Sequence, residues 1–173
     1  MKTRNRFCLL LLFLLPLAGE SLVLKAQSDP FEEGMKWYKQ REVKADSFRA
    51  EPKYINEAIE AFEEAMQNGE HHREAGLHLL KSYYFKGMFL GLNTKEEKEV
   101  FDKGRSLGET LDQKYPESVP IKFWYAANMG RWAKVHGFMA SATSGVAKKV
   151  RNIGEEIVSM DKKYQNGGGY RIL

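Results

Sequence analysis

Residues Val119–His136 read VPIKFWYAANMGRWAKVH, and their pattern predicts an α-helix that needs neighbours on two sides. Pro120 stands in the first turn, where a missing backbone N–H costs nothing. Five residues recur at helical spacing on one mainly apolar face: Ile121, Tyr125, Met129, Trp132 and His136. A second, mixed face carries Trp124, Asn128 and Arg131. A helix with two faces to cover is typical of a stacked array of helices.

Five further segments of the chain show the same helical periodicity. Phe31, Met35 and Tyr38 share a face of a first helix, and Ala58, Phe62 and Ala65 are spaced as in the second helix of a tetratricopeptide repeat. The predicted ranges are Pro30–Phe48, Lys53–Asn68, His72–Leu90, Thr94–Tyr115 and Ser141–Gln165. Together with Val119–His136 they pair into three antiparallel hairpins. The fold class predicted is therefore all-α, a short α-solenoid of about three tetratricopeptide-like hairpins.

Local signals refine three parts of this prediction. Thr94 and Glu97 match a capping box at the start of the fourth helix. Gly104 and Gly108 lie on the packed face of that helix, which predicts that another helix crosses there at close range. The glycines at 167–169 predict a helix stop, and the closing residues Tyr170–Leu173 are expected to form an unfinished, frayed turn or to pair between chains.

The first 26 residues have the pattern of a secretory signal peptide: a basic start, an apolar run and a small residue before a polar segment. Cleavage is predicted between Ala26 and Gln27, with a site near Ala18 or Gly19 and an uncleaved anchor as the alternatives. Cys8 precedes the apolar run, so no lipobox cysteine is available for a lipid anchor. The expected location is periplasmic or secreted, with residues 27–173 forming one helical repeat domain and no stable membrane span after processing.

Charge and motif content argue against several function classes. Removing residues 1–26 leaves 23 basic and 22 acidic residues, a net of +1, which gives no reason to expect a nucleic-acid partner. The four histidines lack the spacing of a metal site, and no cysteine or serine nucleophile motif occurs after the leader. We therefore expect no enzyme activity, no catalytic residues, no metal and no cofactor.

The aromatic residues of the third and fifth predicted helices indicate a binding surface. Both are first helices of their hairpins, and such helices line the concave side of tetratricopeptide stacks. Tyr84, Trp124, Asn128 and Arg131 form a mixed aromatic, amide and guanidinium strip. Either these four residues belong to the core, or they line a groove for a ligand or a partner.

Three stretches resemble the T-component (TatT-like) family of TRAP transporters: Ser82–Phe85, Phe123–Gly130 and Met160–Leu173. The resemblance implies an exported accessory protein that binds the periplasmic solute-binding protein of a TRAP-type system and forms a homo-oligomer. Two departures from the family pattern matter: the chain has no lipobox cysteine, and it stops where further, capping repeats are expected. The alternatives are a carrier that holds a small apolar or carboxylated ligand in its aromatic groove, and a generic tetratricopeptide scaffold.

Overall fold

The structure is a computed structural model that describes residues 29–46, 49–69 and 71–173. Within these ranges eight helices follow one another, and the β pairing that they contain is an isolated bridge between Asp46 and Arg49. The predicted all-α fold is confirmed. The helices are α1 Pro30–Lys39, α2 Pro52–Asn68, α3 His72–Phe89, α4 Thr94–Lys114, α5 Val119–His136, α6 Phe138–Thr143, α7 Val146–Met160 and α8 Gly168–Ile172.

Neighbours in sequence are neighbours in space, as expected of a helical repeat array. Helices α1 and α2, α3 and α4, and α5 and α7 form the three antiparallel hairpins, and α2 and α4 each also pack on the helix that follows them. The first helices α3 and α5 contact each other directly. Because successive packed helices are antiparallel, the C-terminal ends of α1, α3 and α5 lie at the same end of the stack.

The first helix is shorter than predicted. It begins as expected, with Asp29 accepting from Phe31 N at 2.9 Å and Pro30 at the first position, but it ends at Lys39 instead of continuing to Phe48, which lies outside the described residues. Arg41 Nη1 donates to the carbonyl oxygen of Tyr38 at 3.0 Å, and this bond satisfies one of the carbonyls that the helix end leaves open.

The residues of α2 that have the tetratricopeptide-like spacing pack between helices, as predicted. Ala58, Phe62 and Ala65 are buried. A Cβ atom placed on Gly34 of α1 would lie 2.6 Å from the Phe62 ring, so a residue without a side chain is needed opposite this ring. Small residues on both sides of Phe62 thus allow α1 and α2 to approach closely.

The close helix crossing predicted from Gly104 and Gly108 is confirmed, and the helix that crosses there is α5. Cβ atoms at these positions would lie 2.3 Å from Asn128 Oδ1 and from Tyr125 Cδ2.

The capping box of α4 was predicted one residue late. Asn93, not Thr94, is the N-cap, and its partner is Glu96 instead of Glu97, because the Asn93 side chain accepts from the N–H groups of residues 95 and 96.

The apolar face of α5 is part of the core, as predicted. Tyr125, Met129 and Trp132 are buried, and they pack in one cluster with Ile153 and Ile157 of α7. The hairpin is also joined by charge, since Lys122 Nζ of α5 donates to Asp112 Oδ1 of α4 at 2.8 Å and to Glu156 Oε2 of α7 at 2.5 Å. Burial would lower the pKa of Lys122, but these two carboxylates outweigh it and raise that pKa.

The C-terminal part differs from the single long helix predicted over Ser141–Gln165. Gly145 adopts a left-handed conformation, with φ of 68°, and divides this segment into α6 and α7. The end of the chain is ordered as α8 instead of frayed. Buried Gly168 and Gly169 bring α8 against Phe123 of α5 and Val158 of α7, where a Cβ would come within 2.6 and 2.8 Å of those side chains.

The predicted signal peptide and its predicted cleavage site at Ala26 and Gln27 lie outside the described residues. Among the helices of residues 29–173 that the structure describes, none combines the length and the hydropathy that crossing a bilayer requires.

Candidate functional site

A pocket of about 620 Å³ opens on the side of the stack formed by the first helices of the hairpins. It lies between the end of α1, the connection from α1 to α2, α3 and the first half of α5. The connection folds back onto α3, since Ala50 N donates to the Phe89 carbonyl at 2.7 Å. The lining residues are Tyr38, Arg41, Glu42, Ala45, Arg49, Ala50, Lys81, Tyr84, Phe85, Phe89 and Trp124.

Aromatic rings form much of the pocket wall. Tyr84 and Trp124 meet edge to face with ring centres 5.4 Å apart, and Phe85 and Phe89 lie 5.0 Å apart. Both pairs are partly exposed to the pocket, because Tyr84, Trp124 and Phe89 are not buried. Such rings offer a large apolar contact area with little side-chain entropy to lose on binding.

Arg41 is held in place at the edge of the pocket by four contacts. Its guanidinium lies over the rings of Tyr38 at 4.3 Å and Phe85 at 5.4 Å, donates to the Tyr38 carbonyl and forms an ion pair with Glu42 at 2.8 Å. Glu42 is exposed, so this pair is screened by water and leaves part of the arginine charge to act on the pocket.

Lys81 supplies a second positive charge, from α3. Its ammonium group has no carboxylate within ion-pair distance in the described part of the chain. Burial, with the charge of Arg41 as the second cause, lowers the pKa of Lys81 below its usual range. Arg49 is a third basic residue in the pocket lining. An anion placed between Lys81 and Arg41 would relieve their mutual repulsion.

His78 lies behind the pocket, one turn before Lys81 and Ser82 on α3. Its ring stacks on Phe62 at 5.4 Å and meets Tyr38 edge-on at 5.3 Å, and its Nδ1 is buried without a hydrogen-bond partner among the described groups. Burial lowers the pKa of His78 to about 4, with smaller contributions from Lys81 and Arg41. The ring is therefore neutral at pH 7 and acts as an apolar packing group.

The structure separates the four residues predicted to form one strip. Tyr84 and Trp124 line the pocket. Asn128 is fully buried in the core, where its Nδ2 donates to the carbonyls of Leu80 at 3.1 Å and Trp124 at 2.8 Å. Arg131 lies away from the pocket with its guanidinium 5.7 Å from the Phe101 ring, and its Nε is buried without a partner among the described groups.

The sequence prediction named two of the lining residues and missed the cations. Lys81 stands three residues before Tyr84, on the same face of α3, so helical spacing alone would have included it. No sequence pattern pointed to Arg41 or Arg49. Arg41 lies within the segment predicted as the first helix, and Arg49 follows the predicted end of that helix.

The histidines elsewhere are engaged in packing. His71 stacks on Phe31 at 4.8 Å and lies 3.1 Å from Asp29 Oδ2, and His72 Nδ1 pairs with the Tyr115 hydroxyl at 3.1 Å. Within the described ranges, no group of three or more histidine, cysteine or acidic side chains is placed to hold a metal ion.

Comparison of the chain with protein-family models, with curated proteins and with solved structures gave no match.

Proposed function

We propose that this chain is a non-enzymatic binding protein whose pocket between α1, α3 and α5 takes a small organic anion with an apolar or aromatic body. One observation supports the proposal. The basic side chains of Lys81, Arg41 and Arg49 line the same cavity of about 620 Å³ as the rings of Tyr84 and Trp124. Cavities of several hundred cubic ångströms that combine apolar walls with a few polar groups are typical of small-molecule sites.

The aromatic and the basic lining residues would each contact a different part of the ligand. The rings would contact the body of the ligand, and Lys81 would pair with its carboxylate, since that ammonium is partly desolvated and lacks a carboxylate in the described chain. A charge-assisted bond in such a place is worth about 1.5–3 kcal/mol, or roughly ten- to a hundredfold in affinity.

The experiment compares Lys81→Gln with the matched variant Lys86→Gln. Both lysines are half-buried on α3, but Lys86 lies away from this pocket and donates to Asn56 Oδ1 at 2.8 Å. The exported protein is first examined by native mass spectrometry for a co-purified acid, and a panel of aryl and alkyl carboxylates is then titrated calorimetrically. We expect Lys81→Gln to weaken binding at least tenfold and Lys86→Gln to leave it within about twofold. Equal affinities in the two variants, or no binding by the wild type, would refute the proposal.

A second candidate function concerns a protein partner. We propose that the chain acts with the periplasmic solute-binding protein of a TRAP-type system, as an exported accessory protein. The support is the resemblance of Ser82–Phe85, Phe123–Gly130 and Met160–Leu173, together with the signal-peptide pattern of residues 1–26. The two candidates are compatible, because a solute-binding protein and this chain would then share the same class of ligand.

This candidate is tested by chemical cross-linking in the native cell envelope followed by mass spectrometry. Cross-links to a solute-binding protein whose gene neighbours a TRAP permease gene would support it. Cross-links only to other copies of this chain, or only to proteins unrelated to solute uptake, would contradict it.

A further inference from the structure

The α5–α7 connection presents two large apolar side chains directly to solvent. Phe138 is 83% exposed and Met139 is 74% exposed, and they are the first two residues of α6. Single exposed apolar residues are common, but two adjacent ones at this degree of exposure at the tip of a hairpin call for an explanation.

The tip is held firmly although it projects. Ser141 Oγ donates to the carbonyl oxygens of Ala133 at 3.0 Å and Gly137 at 2.8 Å, which ties α6 to the end of α5. Ala140 packs against the core between α5 and α7. The buried side of α6 therefore fixes its orientation, and Phe138 and Met139 are presented on the other side.

The chain on both sides of the tip is basic. No acidic residue occurs from Ser118 to Gly154, whereas this stretch carries six lysines and arginines. Lys134 at the end of α5 and Lys148 and Lys149 at the start of α7 are exposed and make no ion pair with the described residues, although Lys149 Nζ lies 6.0 Å from the centre of the Tyr125 ring. Asp102 of α4 approaches this end of α5, but its Oδ1 accepts from Trp132 Nε1 at 2.6 Å and lies 3.2 Å from His136 Nε2.

We propose that this tip docks on an anionic phospholipid surface, with Phe138 and Met139 inserted among the acyl chains and the three lysines contacting the headgroups. A long lysine side chain reaches the headgroup level while its base stays near the apolar residues. Interfacial binding by basic helices with projecting apolar residues works by this combination of burial and attraction.

The shape of the tip favours a bilayer over a second copy of this chain. Phe138 and Met139 together expose roughly 300 Å², given about 150–250 Å² for a large side chain. A stable protein interface buries about 1,200–2,000 Å² in total, and the lysines around the tip would repel their copies in a symmetric dimer.

The other hairpin tips lie at the same end of the stack and are compatible with a nearby bilayer. Val43, in the connection from α1 to α2, is 44% exposed, and Phe89, at the end of α3, is 38% exposed. Their charged neighbours are of both signs: Lys44 and Lys95 are exposed, but so are Glu42 and Glu96, and Lys95 lies 3.9 Å from Glu99. This end of the molecule therefore offers several apolar contacts on one side, with the α5–α7 tip as the most exposed.

The test is co-sedimentation with vesicles of phosphatidylglycerol mixed with phosphatidylcholine, and with phosphatidylcholine vesicles alone. The full chain is used after export, with its N-terminus determined by mass spectrometry. Because any retained leader is identical in every variant, differences between variants report on the substituted residues. We expect binding to the anionic vesicles, with an affinity that falls as salt is raised.

Two variants remove the proposed contacts and two matched variants serve as controls at the opposite end of the stack. Phe138→Ser/Met139→Ser should weaken binding at least tenfold, and Lys148→Gln/Lys149→Gln should weaken it by about fivefold per lysine. Tyr170→Ser and Lys162→Gln/Lys163→Gln change an exposed ring and an exposed lysine pair at the other end, and they should bind like the wild type.

Three results would overturn the proposal. The first is a wild type that does not bind anionic vesicles. The second is equal binding by the tip variants and the controls, with the fold of each verified by circular dichroism. The third is a concentration-dependent dimer that Phe138→Ser/Met139→Ser dissolves while vesicle binding is absent, which would assign the tip to a second copy of this chain. None of these results bears on the pocket, whose ligand is tested separately through Lys81.

Discussion

Gly108→Ala tests whether α4 and α5 cross as closely as the structure has them. The added Cβ would lie 2.3 Å from Tyr125 Cδ2 and 2.7 Å from Tyr125 Cγ, well inside van der Waals contact. The Tyr125 ring is 2% exposed and packed in the core between α5 and α7, so it has no free space into which to turn. The helices must therefore move apart, and core contacts on both sides of the crossing are lost.

The size of the effect follows from two opposing terms. Overpacking a core costs about 1–3 kcal/mol, and a contact with an immobile ring belongs at the upper end of that range. Alanine is favoured over glycine inside a helix by about 1 kcal/mol. The net expectation is a loss of roughly 2 kcal/mol in the free energy of unfolding, or about 4–8 °C in Tm for a domain of this size.

Gly130→Ala provides the matched control, since it makes the same chemical change inside a helix without a neighbour. Gly130 is exposed on α5, and no atom lies within 4 Å of the position that its Cβ would occupy. Only the helix-propensity term remains, so this variant should be stabilised by about 0.5–1 kcal/mol. The two variants are compared by urea unfolding, followed by far-ultraviolet circular dichroism. If Gly108→Ala proved as stable as Gly130→Ala, the close crossing of α4 and α5 would be wrong.

Two further predictions concern buried ionisable groups. His78 has a folded-state pKa of about 4, below its unfolded value of about 6.5, so its neutral form stabilises the fold above pH 6.5 and that contribution is lost as the pH falls toward 4. The free energy of unfolding of His78→Leu, measured with urea, should therefore rise relative to that of the wild type by about 2 kcal/mol between pH 7 and pH 4, a figure reduced for the partial exposure of His78. A difference between the two proteins that is the same at both pH values would contradict this. Lys122→Met leaves Asp112, whose side chain is 12% exposed, without its partner and should cost about 3 kcal/mol. Lys122→Met/Asp112→Leu should recover most of that loss, and an equally unstable double variant would mean that packing, not charge, is what the substitution disturbs.

Periodicity predicted the parts of this fold in which one helix packs on another along its whole length. The buried faces of α2 and α5 follow from the spacing of Phe62, Tyr125 and Trp132, all of which are in the core. The helix crossing at Gly104 and Gly108 was also predictable, because a glycine inside a helix is costly unless a neighbour needs the space. These features depend on residues that are close in sequence or on one helix face.

The end of α1 was not predictable in this way, and with it the pocket wall was missed. Residues 40–46 contain no glycine or proline to mark a stop, and a helix through them is compatible with their composition. After Lys39 the backbone continues in tighter turns, with Gln40 N donating to the Trp37 carbonyl, and Arg41 Nη1 caps the Tyr38 carbonyl. This cap depends on the packing of Arg41 over Tyr38 and Phe85, which joins residues of two different helices.

Asn128 shows why a polar residue on a helix face does not by itself indicate a binding groove. Its spacing from Trp124 is the same whether the amide faces water or a neighbouring backbone. What places it in the core is Gly104 on another helix, where any Cβ would collide with the amide oxygen. Once buried, an amide without hydrogen bonds carries a desolvation cost, and Nδ2 avoids its share by donating to the carbonyls of Leu80 and Trp124, whereas Oδ1 is buried without a partner among the described groups. Leu80 lies one turn before Tyr84, so the same side chain fixes the spacing of α3 and α5 beside the two rings that line the pocket. Asn128 therefore would not contact a ligand. It contributes to the candidate site by positioning Tyr84 and Trp124.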